Sequence, residues 1–205
     1  MGSDLGRRIG VLISGRGSNL QALIDAIAEG RLRAEIAVVI ANRADAAGLA
    51  RARTAGIETI TIPHRDYPSR EAFEETLIAE LRARRVALVC LAGFMRLLGA
   101  TFLEAYPNAI LNIHPSLLPA FPGVDAQRQA WTYGTKVAGA TVHLVTGELD
   151  GGPIVMQRAV AVPDDDTPDT LAARILDVEH QIYPDAAQLV LDGGWRIEGR
   201  RFRRA

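Results

Sequence analysis

The sequence predicts an α/β fold, in which a mostly parallel, doubly wound sheet carries helices on both faces and antiparallel strands toward the C-terminal half. In the first half of the chain, short apolar runs alternate with helical patterns. This alternation is typical of parallel strands joined by helices. In the second half, apolar runs at 138–145 and 154–162 follow each other without a helical pattern between them, which indicates an antiparallel pair. The chain has 205 residues, of which 48% are hydrophobic, enough for one substantial core.

The elements of the first half are predicted from periodicity and from residues that favour helix ends. After the first strand, apolar residues recur at helical spacing from Leu20 to Ile27. Asp45 is a favoured N-cap residue for a helix that reaches Thr54, and Ser69 is one for the next helix. The predicted strands are 9–14, 35–41, 58–62 and 86–91.

The second half is organised around the segment 108–123. It begins with an apolar run, Ala109 to Ile113, typical of a strand buried on both faces, and continues into a loop with three prolines. Helices are predicted at 127–134 and 170–191, and residues 195–202 are expected to form a terminal hairpin or tail. We expect a flexible N-terminus at 1–7, a single domain at 8–193 and a basic C-terminal hairpin or tail at 194–205.

Composition argues against several classes of protein. The formal net charge of -1 gives no general reason to bind nucleic acid or an anionic membrane, although the last ten residues hold five arginines. No apolar run approaches the roughly 20 residues that span a bilayer, and the start lacks the apolar segment of a signal peptide. Cys90 is the only cysteine and lies in a predicted strand, which fits a reducing compartment. We therefore expect a cytoplasmic protein with no nucleic-acid or membrane partner.

Two polar residues at the end of the central strand are the first candidates for chemistry. Asn112 and His114 are two positions apart, so their side chains point to the same face of the strand. An amide supplies hydrogen-bond donors, and an imidazole titrates near neutral pH. Ligands of open α/β sheets bind beyond the carboxyl ends of the strands, which is where this pair is predicted to lie.

The glycine-rich loop 15–19 lies between the first strand and the first helix. Backbone N–H groups and the helix dipole attract an anion at such a position. Leu20 occupies the third glycine position of a dinucleotide-binding loop, and no Gly-Lys-Ser/Thr follows, so a phosphomonoester is favoured over a dinucleotide. The alternative is an ordinary tight turn with Ser18 as the helix cap.

Asp150 lies in the loop 146–153 between two predicted strands. If the loop folds back beside His114, the carboxylate favours the imidazolium form; the alternative is an aspartate in a surface turn. His143, in a strand, is interpreted as structural, and His64 as part of a surface loop. The histidines and the cysteine show no metal-ligand spacing, so we expect no metal. Ser116 lacks the setting of a nucleophilic serine, which favours direct transfer between two bound substrates.

Four motifs occur in order along the chain: Gly-Arg-Gly-Ser-Asn-Leu-Gln at 15–21, Leu-Ala-Gly-Phe-Met-Arg-Leu-Leu at 91–98, Asn-Ile-His-Pro-Ser-Leu-Leu-Pro at 112–119 and Glu-Leu-Asp-Gly-Gly-Pro at 148–153. Together they resemble the phosphoribosylglycinamide formyltransferases, a branch of the folate-dependent formyltransferase family. The resemblance covers about 8–193. It implies a formyltransferase fold with a nucleotide-binding half at about 8–107 and a folate-binding and catalytic half at about 108–193.

The resemblance implies transfer of a formyl group from 10-formyltetrahydrofolate, the co-substrate, to the amine of 5-phosphoribosylglycinamide in purine biosynthesis, without a covalent enzyme intermediate. The positions that match the family's catalytic set are Asn112, His114 and Asp150. Those that match its substrate site are Gly17, Ser18 and Asn19 for the phosphate and Glu179 for the ribose. Those that match its folate site are Arg70, Met95, Arg96, Leu97, Leu98, Asn112, Thr146, Gly147, Glu148, Leu149 and Asp150. A homodimer is left open.

Two departures and two alternatives accompany this expectation. Asp125 and Gln127 stand where some family members carry histidines, which leaves contacts near the substrate undefined. One alternative is a formyltetrahydrofolate deformylase, which sends water to the formyl group. Deformylases carry a domain before the catalytic one, whereas the first strand here begins by about Arg8. The other alternative is a nucleotide-binding protein of this fold that performs no chemistry.

Overall fold

The computed structural model of the chain describes residues 6–204. Its strands are β1 (Arg8–Ile13), β2 (Glu35–Ala41), β3 (Thr59–Thr61), β4 (Leu88–Leu91), β5 (Ile110–His114), β6 (Val137–Leu144), β7 (Ile154–Ala161), β8 (Trp195–Glu198) and β9 (Arg201–Arg204). Its helices are α1 (Ser18–Ala28), α2 (Gly48–Thr54), α3 (Arg70–Ala83), α4 (Ala100–Ala105), α5 (Ala126–Tyr133) and α6 (Pro168–Asp192). Within the described residues, the strands form one nine-stranded sheet in the order β3-β2-β1-β4-β5-β6-β7-β9-β8.

The first five strands are parallel and are covered by helices on both faces. β1 lies between β2 and β4, and β5 follows on the far side of β4. Side chains alternate along β1: Ile9 and Val11 pack into a cluster with α1 and α6, whereas Leu12 packs into a second cluster with α3 and α4. Two separate apolar layers explain why the runs of β1, β2 and β4 are continuously hydrophobic. The predicted doubly wound arrangement is confirmed.

The second half adds antiparallel strands, as predicted. β6 pairs antiparallel with both β5 and β7, and the β6–β7 register shifts between Val142 and His143. β8 and β9 form an antiparallel hairpin, and β9 joins the sheet through a parallel pairing of Ile154 with Arg201. Residues 195–204 are therefore a hairpin rather than a tail. The expected flexible N-terminus at 1–7 lies mostly outside the described residues.

Several local predictions need correction, and others are confirmed. Asp45 does not cap α2, because the helix begins later and Asp45 instead pairs with Arg43 through two side-chain bonds of 3.0 and 2.7 Å. The helix α4 was not predicted from the sequence, since its six residues are too short for a periodic pattern. Ser69 caps α3, as expected, by accepting from the Ala72 N–H. Cys90 is buried in β4, as predicted, and this burial raises the pKa of its thiol to about 12.

Candidate active site

The carboxyl ends of β1, β4 and β5 bring three loops side by side. β4 pairs in parallel register with both β1 and β5, so Leu12, Leu91 and Asn112 lie in one row across the sheet. The glycine-rich loop follows β1, the segment 92–99 follows β4, and the proline-containing loop follows β5. The sequence motifs therefore meet at one edge of the sheet, as expected for an open α/β fold.

His114 is the last residue of β5 and is buried, with 4% of its surface exposed. Its Nε2 lies 2.8 Å from the carbonyl oxygen of Phe121. A carbonyl can only accept, so Nε2 carries a proton in this arrangement. Its Nδ1 lies 3.5 Å from Asp150 Oδ2. That separation is longer than most direct N–H···O hydrogen bonds, so Nδ1 can engage an incoming group.

Asp150 folds back beside His114, as the first of the two alternatives predicted. Its Oδ2 accepts the Gly123 N–H at 2.8 Å, and its backbone has a φ of 49°, a left-handed conformation that few non-glycine residues adopt. Burial works to raise the pKa of the carboxyl. The neighbouring His143 and His114 rings and the Gly123 N–H together outweigh burial and hold the pKa below its usual value. Asp150 is thus an anion beside two imidazoles.

His143 also belongs to this cluster, although the sequence led us to interpret it as structural. The register of β5 and β6 places His143 directly opposite Asn112. His143 Nδ1 lies 3.0 Å from the carbonyl oxygen of Leu144 and therefore donates to it. Its Nε2 then accepts from Asn112 Nδ2 at 3.1 Å and lies 3.6 Å from Asp150 Oδ1. The sequence feature that could have indicated this role is the polar pair Thr141 and His143 on one face of an otherwise apolar strand.

The loop after His114 is held by side chains from β6 and β7. Thr141 Oγ1 donates to the Ser116 carbonyl at 2.6 Å and accepts the Leu118 N–H at 3.0 Å. Gln157 donates to the Leu118 carbonyl at 2.8 Å. Ser116 itself donates to the Ala120 carbonyl, so its hydroxyl is engaged within the loop. These bonds hold the Phe121 carbonyl and the Gly123 N–H where His114 and Asp150 contact them.

The glycine-rich loop forms the N-terminus of α1. Gly17 is the N-cap, with a φ of 71°, and among the described residues no side chain caps this end. The alternative in which Ser18 caps the helix is therefore wrong, because Ser18 is the first helical residue. A Cβ on Gly17 would lie 2.6 Å from the Gly48 Cα, so the loop packs directly on the start of α2. The uncapped N–H groups and the helix dipole offer a site for an anion.

Beside this loop, α6 contributes a buried carboxyl. Asn19 Nδ2 donates to Glu179 Oε2 at 2.7 Å, and both residues are buried. Burial raises the pKa of Glu179, although the Asn19 hydrogen bond and the Arg16 charge act in the opposite direction. Asn19 Oδ1 is buried and has no hydrogen-bond partner in the described part of the chain. This unpartnered acceptor beside the Glu179 carboxyl indicates a place for a hydroxyl group of a ligand.

Apart from Arg70 at the start of α3 and Asn112 in β5, the positions that match the family's folate site lie in two exposed loops. Met95 and Leu97 are 67% and 65% exposed, an unusual exposure for two large apolar side chains in one loop. Ser14 Oγ accepts the Met95 N–H at 2.8 Å, and Glu74 accepts the Gly99 N–H at 2.6 Å, which fixes this loop at both ends. The others are placed as follows: Arg96 is exposed, Leu98 is half-buried, Arg70 lies against Gly99, and Thr146, Gly147, Glu148 and Leu149 are exposed.

The structure thus assembles two groups of predicted residues. Asn112, His114 and Asp150 form one group, which His143 completes, and Asn19 with Glu179 forms the other beside Gly17 and Ser18. Among residues 6–204, no group of three or more histidine, cysteine, aspartate or glutamate side chains could hold a metal ion. In the same part of the chain, no helix is long and apolar enough to cross a membrane.

Comparison with known proteins identifies a family model, curated relatives and solved structures that resemble this chain. The family model described as formyl transferase matches residues 7–187. Phosphoribosylglycinamide formyltransferase of Escherichia coli is 47% identical over 183 residues, which are 89% of this chain and 86% of that protein. The trifunctional purine biosynthetic protein adenosine-3 of Drosophila melanogaster is 46% identical over 91% of this chain, and the chain spans 14% of that protein's length. The crystal structure of glycinamide ribonucleotide transformylase 1 from Symbiobacterium toebii has a TM-score of 0.95 and 56% identity, covering 98% of this chain and 95% of that one.

Proposed function

Because this chain belongs to the formyl transferase family, we propose that it transfers the formyl group of 10-formyltetrahydrofolate to the amine of 5-phosphoribosylglycinamide. The observation that carries this proposal is the cluster at the carboxyl end of β5, in which His114 is buried and Asn112 and Asp150 are half-buried. Such a cluster suits acyl transfer, because it combines two hydrogen-bond donors with an anion that stabilises a charged imidazole. The proposed step lies in purine biosynthesis, as the names of the relatives indicate.

In the proposed mechanism, the substrate amine attacks the formyl carbon and negative charge develops on the formyl oxygen. Asn112 Nδ2 has two hydrogens, of which one is donated to His143, and the other is available to this oxygen. The Nδ1 proton of His114 is the second donor, since Asp150 is too distant to hold it fully. Donors placed in advance stabilise the developing charge, and removing one costs about 100- to 1000-fold in rate.

The proton balance assigns separate tasks to His114 and Asp150. As the bond between the formyl carbon and folate N10 breaks, the imidazolium of His114 gives its proton to N10. The amine loses a proton when its bond to the formyl carbon forms, and Asp150 accepts it through a bound water. Because the pKa of Asp150 lies below its usual value, the carboxylate is ionised at neutral pH.

The ribonucleotide would bind between α1 and α6. Its phosphate would occupy the N-terminus of α1 at Gly17, Ser18 and Asn19, where N–H groups have no capping side chain. The ribose hydroxyls would donate to Glu179 and to the unpartnered Oδ1 of Asn19. This placement gives the buried Asn19 Oδ1 a hydrogen-bond donor and directs the amine toward the end of β5.

The folate co-substrate would bind along the two exposed loops. The apolar side chains Met95, Leu97 and Leu149 offer contacts for a pterin ring, and Arg70 and Arg96 offer charge to the glutamate carboxylates. Asp150 lies at the inner end of the second loop, so the formyl group would lie near His114. We place this activity in the cytoplasm, where both small molecules are soluble, and a homodimer is compatible with it.

A coupled absorbance assay tests the proposal directly. The purified chain is given 10-formyltetrahydrofolate with and without 5-phosphoribosylglycinamide, and release of tetrahydrofolate is followed. We expect release only when the ribonucleotide is present. Release without the ribonucleotide would identify a deformylase. An absence of release under both conditions would favour a nucleotide-binding protein without chemistry.

A further inference from the structure

The arginine-rich hairpin of β8 and β9 lies beyond residue 187, where the match to the family model ends. The proposed reaction assigns it no task. Its turn nevertheless contacts the loop that carries Asp150. Arg200 Nη1 lies 3.0 Å from Glu148 Oε2, and Arg200 Nη2 donates to the Gly151 carbonyl at 2.6 Å.

These two acceptors belong to Glu148 and Gly151, which lie on either side of Asp150 in the sequence. The Gly151 N–H donates to the Glu148 carbonyl at 3.1 Å and closes a tight turn around Asp150. The side chain of Glu148 also packs over Gly151, where a Cβ would overlap it. Arg200 therefore spans the turn from outside, since the planar guanidinium can bind a carboxylate and a carbonyl at the same time. The left-handed backbone of Asp150, with a φ of 49°, lies inside this turn.

The hairpin is itself attached to the rest of the fold. Trp195 donates to the Val190 carbonyl at 3.0 Å and stacks on Phe202 with ring centroids 4.9 Å apart. Arg201 pairs with Ile154, the first residue of β7. Arg200 is thus held between a tryptophan packed on α6 and a strand that begins just after the Asp150 loop.

We propose that Arg200 is a positioning residue for Asp150, an assignment that rests on the proposed formyl transfer. Exposed ion pairs contribute little to stability, and Arg200 and Glu148 are 71% and 67% exposed. Their effect on the position of Asp150, in contrast, can be large. A displacement of about 1 Å in a reacting group can cost about 100-fold in rate, and Asp150 must face both His114 and His143. Arg200 limits the motion of the turn that sets this position.

The central test compares Arg200→Gln with Arg203→Gln. Arg203 lies in the same hairpin and contacts Glu198 at 3.2 Å, so its loss removes a hairpin ion pair without touching the Asp150 loop. We expect Arg200→Gln to lower kcat/KM for 10-formyltetrahydrofolate by about three- to tenfold, the effect of one or two lost hydrogen bonds. The KM for the ribonucleotide is expected to stay unchanged. Arg200→Lys should recover part of the activity, because an ammonium can bind the carboxylate but lacks the planar fork.

A double-mutant cycle separates positioning from general loss of stability. If Arg200 acts through Asp150, Arg200→Gln should have no further effect on kcat/KM in an Asp150→Asn background. If Arg200→Gln lowers kcat/KM by the same factor in the wild-type and Asp150→Asn backgrounds, the proposal is overturned. Equal activities of Arg200→Gln and Arg203→Gln in an enzyme that turns over would also overturn it.

Amide hydrogen exchange gives a measurement that does not depend on turnover. We expect faster exchange at residues 148–151 in Arg200→Gln than in Arg203→Gln, because the turn opens more often. Unchanged exchange would overturn the positioning proposal even in an active enzyme. If the wild-type chain shows no formyl transfer while exchange responds as expected, the proposed function fails and the contact between the hairpin and the loop stands as structural.

Discussion

The proposed anion site at α1 and the proposed catalytic cluster at β5 are built in opposite ways. The anion site uses backbone N–H groups of consecutive residues, Gly17 to Asn19, at one helix end. The cluster instead uses side chains from β5, β6 and the loop before β7. Asn112 and His143 share a hydrogen bond, and Asp150 accepts from the backbone N–H of Gly123. A phosphate already carries its charge when it binds, so fixed dipoles suffice. The formyl transfer also takes a proton from the amine and gives one to folate N10, which requires groups that exchange protons.

This difference determines what each region tolerates. The anion site depends on close backbone packing of Gly17 on Gly48, so an added methyl group is expected to damage it. The cluster depends on particular side-chain atoms, so truncation is expected to damage it while the backbone stays in place. Substitutions in the two regions should therefore change different kinetic constants.

The largest effect is expected from His114→Ala. The variant loses the Nδ1 donor and the proton for folate N10, so kcat should fall by about 100- to 1000-fold. The KM for the ribonucleotide should change little, because the anion site is formed by another part of the chain. Steady-state kinetics with the assay described above provides the measurement.

The matched control is His64→Ala. His64 is a half-buried histidine in the turn before α3, and its Nδ1 lies 3.3 Å from Asn42. The kcat of His64→Ala should stay near the wild-type value. Circular dichroism should show that His64→Ala and His114→Ala are both folded. An active His114→Ala enzyme would remove the basis for the proposed mechanism.

The next effect is expected from Gly17→Ala. A Cβ at this position meets the Gly48 backbone at 2.6 Å, and Gly17 has a left-handed φ of 71°. The N-terminus of α1 must shift, and we expect the KM for the ribonucleotide to rise about tenfold or more, as for the loss of an interaction with a charged group. The kcat at saturating ribonucleotide should be largely retained.

Gly30→Ala is the control for backbone strain. Gly30 also has a left-handed backbone, with a φ of 74°, but no atom lies within 4 Å of its added Cβ. The variant should lose some thermal stability while keeping the KM for the ribonucleotide. Equal increases in KM for Gly17→Ala and Gly30→Ala would show that backbone strain, rather than the contact with Gly48, weakens ribonucleotide binding.

The smallest effect concerns Glu179 and the pH dependence of stability. Burial raises the pKa of this carboxyl in the folded chain. Its contribution to stability is therefore fully present below the unfolded pKa and is lost as pH rises through the folded pKa. Glu179→Gln removes this loss of stability, so the Tm of the variant minus the Tm of the wild type should increase as pH rises. About 1 kcal/mol moves the Tm of a domain of this size by roughly 2–4 °C.

Differential scanning calorimetry between pH 4 and pH 8 measures this difference, with Glu75→Gln as the control. Glu75 is exposed on α3, where solvent screens the charge, so its variant should follow the wild type more closely. A Tm difference for Glu179→Gln that shrinks with rising pH would contradict the assignment of a raised pKa.

The features that could be predicted from the sequence are those set by neighbouring residues. The apolar runs of β1 and β2, the Ser69 cap and the same-face pair Asn112 and His114 depend on local periodicity and on short side-chain contacts. The fold class followed from them, because alternating strands and helices leave few arrangements. The resemblance supplied the link between Asp150 and His114, which the local pattern left open.

The features that were missed depend on contacts between distant segments. His143 joins the cluster only because the β5–β6 register sets it opposite Asn112, and one-residue changes in register would turn it to the other face. Asp45 fails as a helix cap because Arg43 competes for its carboxylate. Arg200 reaches the Asp150 loop through a hairpin that pairs with β7, a partner that composition alone could not identify.

The contact between Gly17 and Gly48 also restricts how the two loops can diverge in sequence. A Cβ on Gly48 would lie 2.7 Å from Ile13 Cδ1 and 3.0 Å from the Gly17 Cα. A substitution at one glycine cannot make room for a side chain at the other, because each added Cβ would meet backbone atoms of the opposite glycine. The pair is therefore expected to persist together, and variation in this region is left to exposed neighbours such as Arg16.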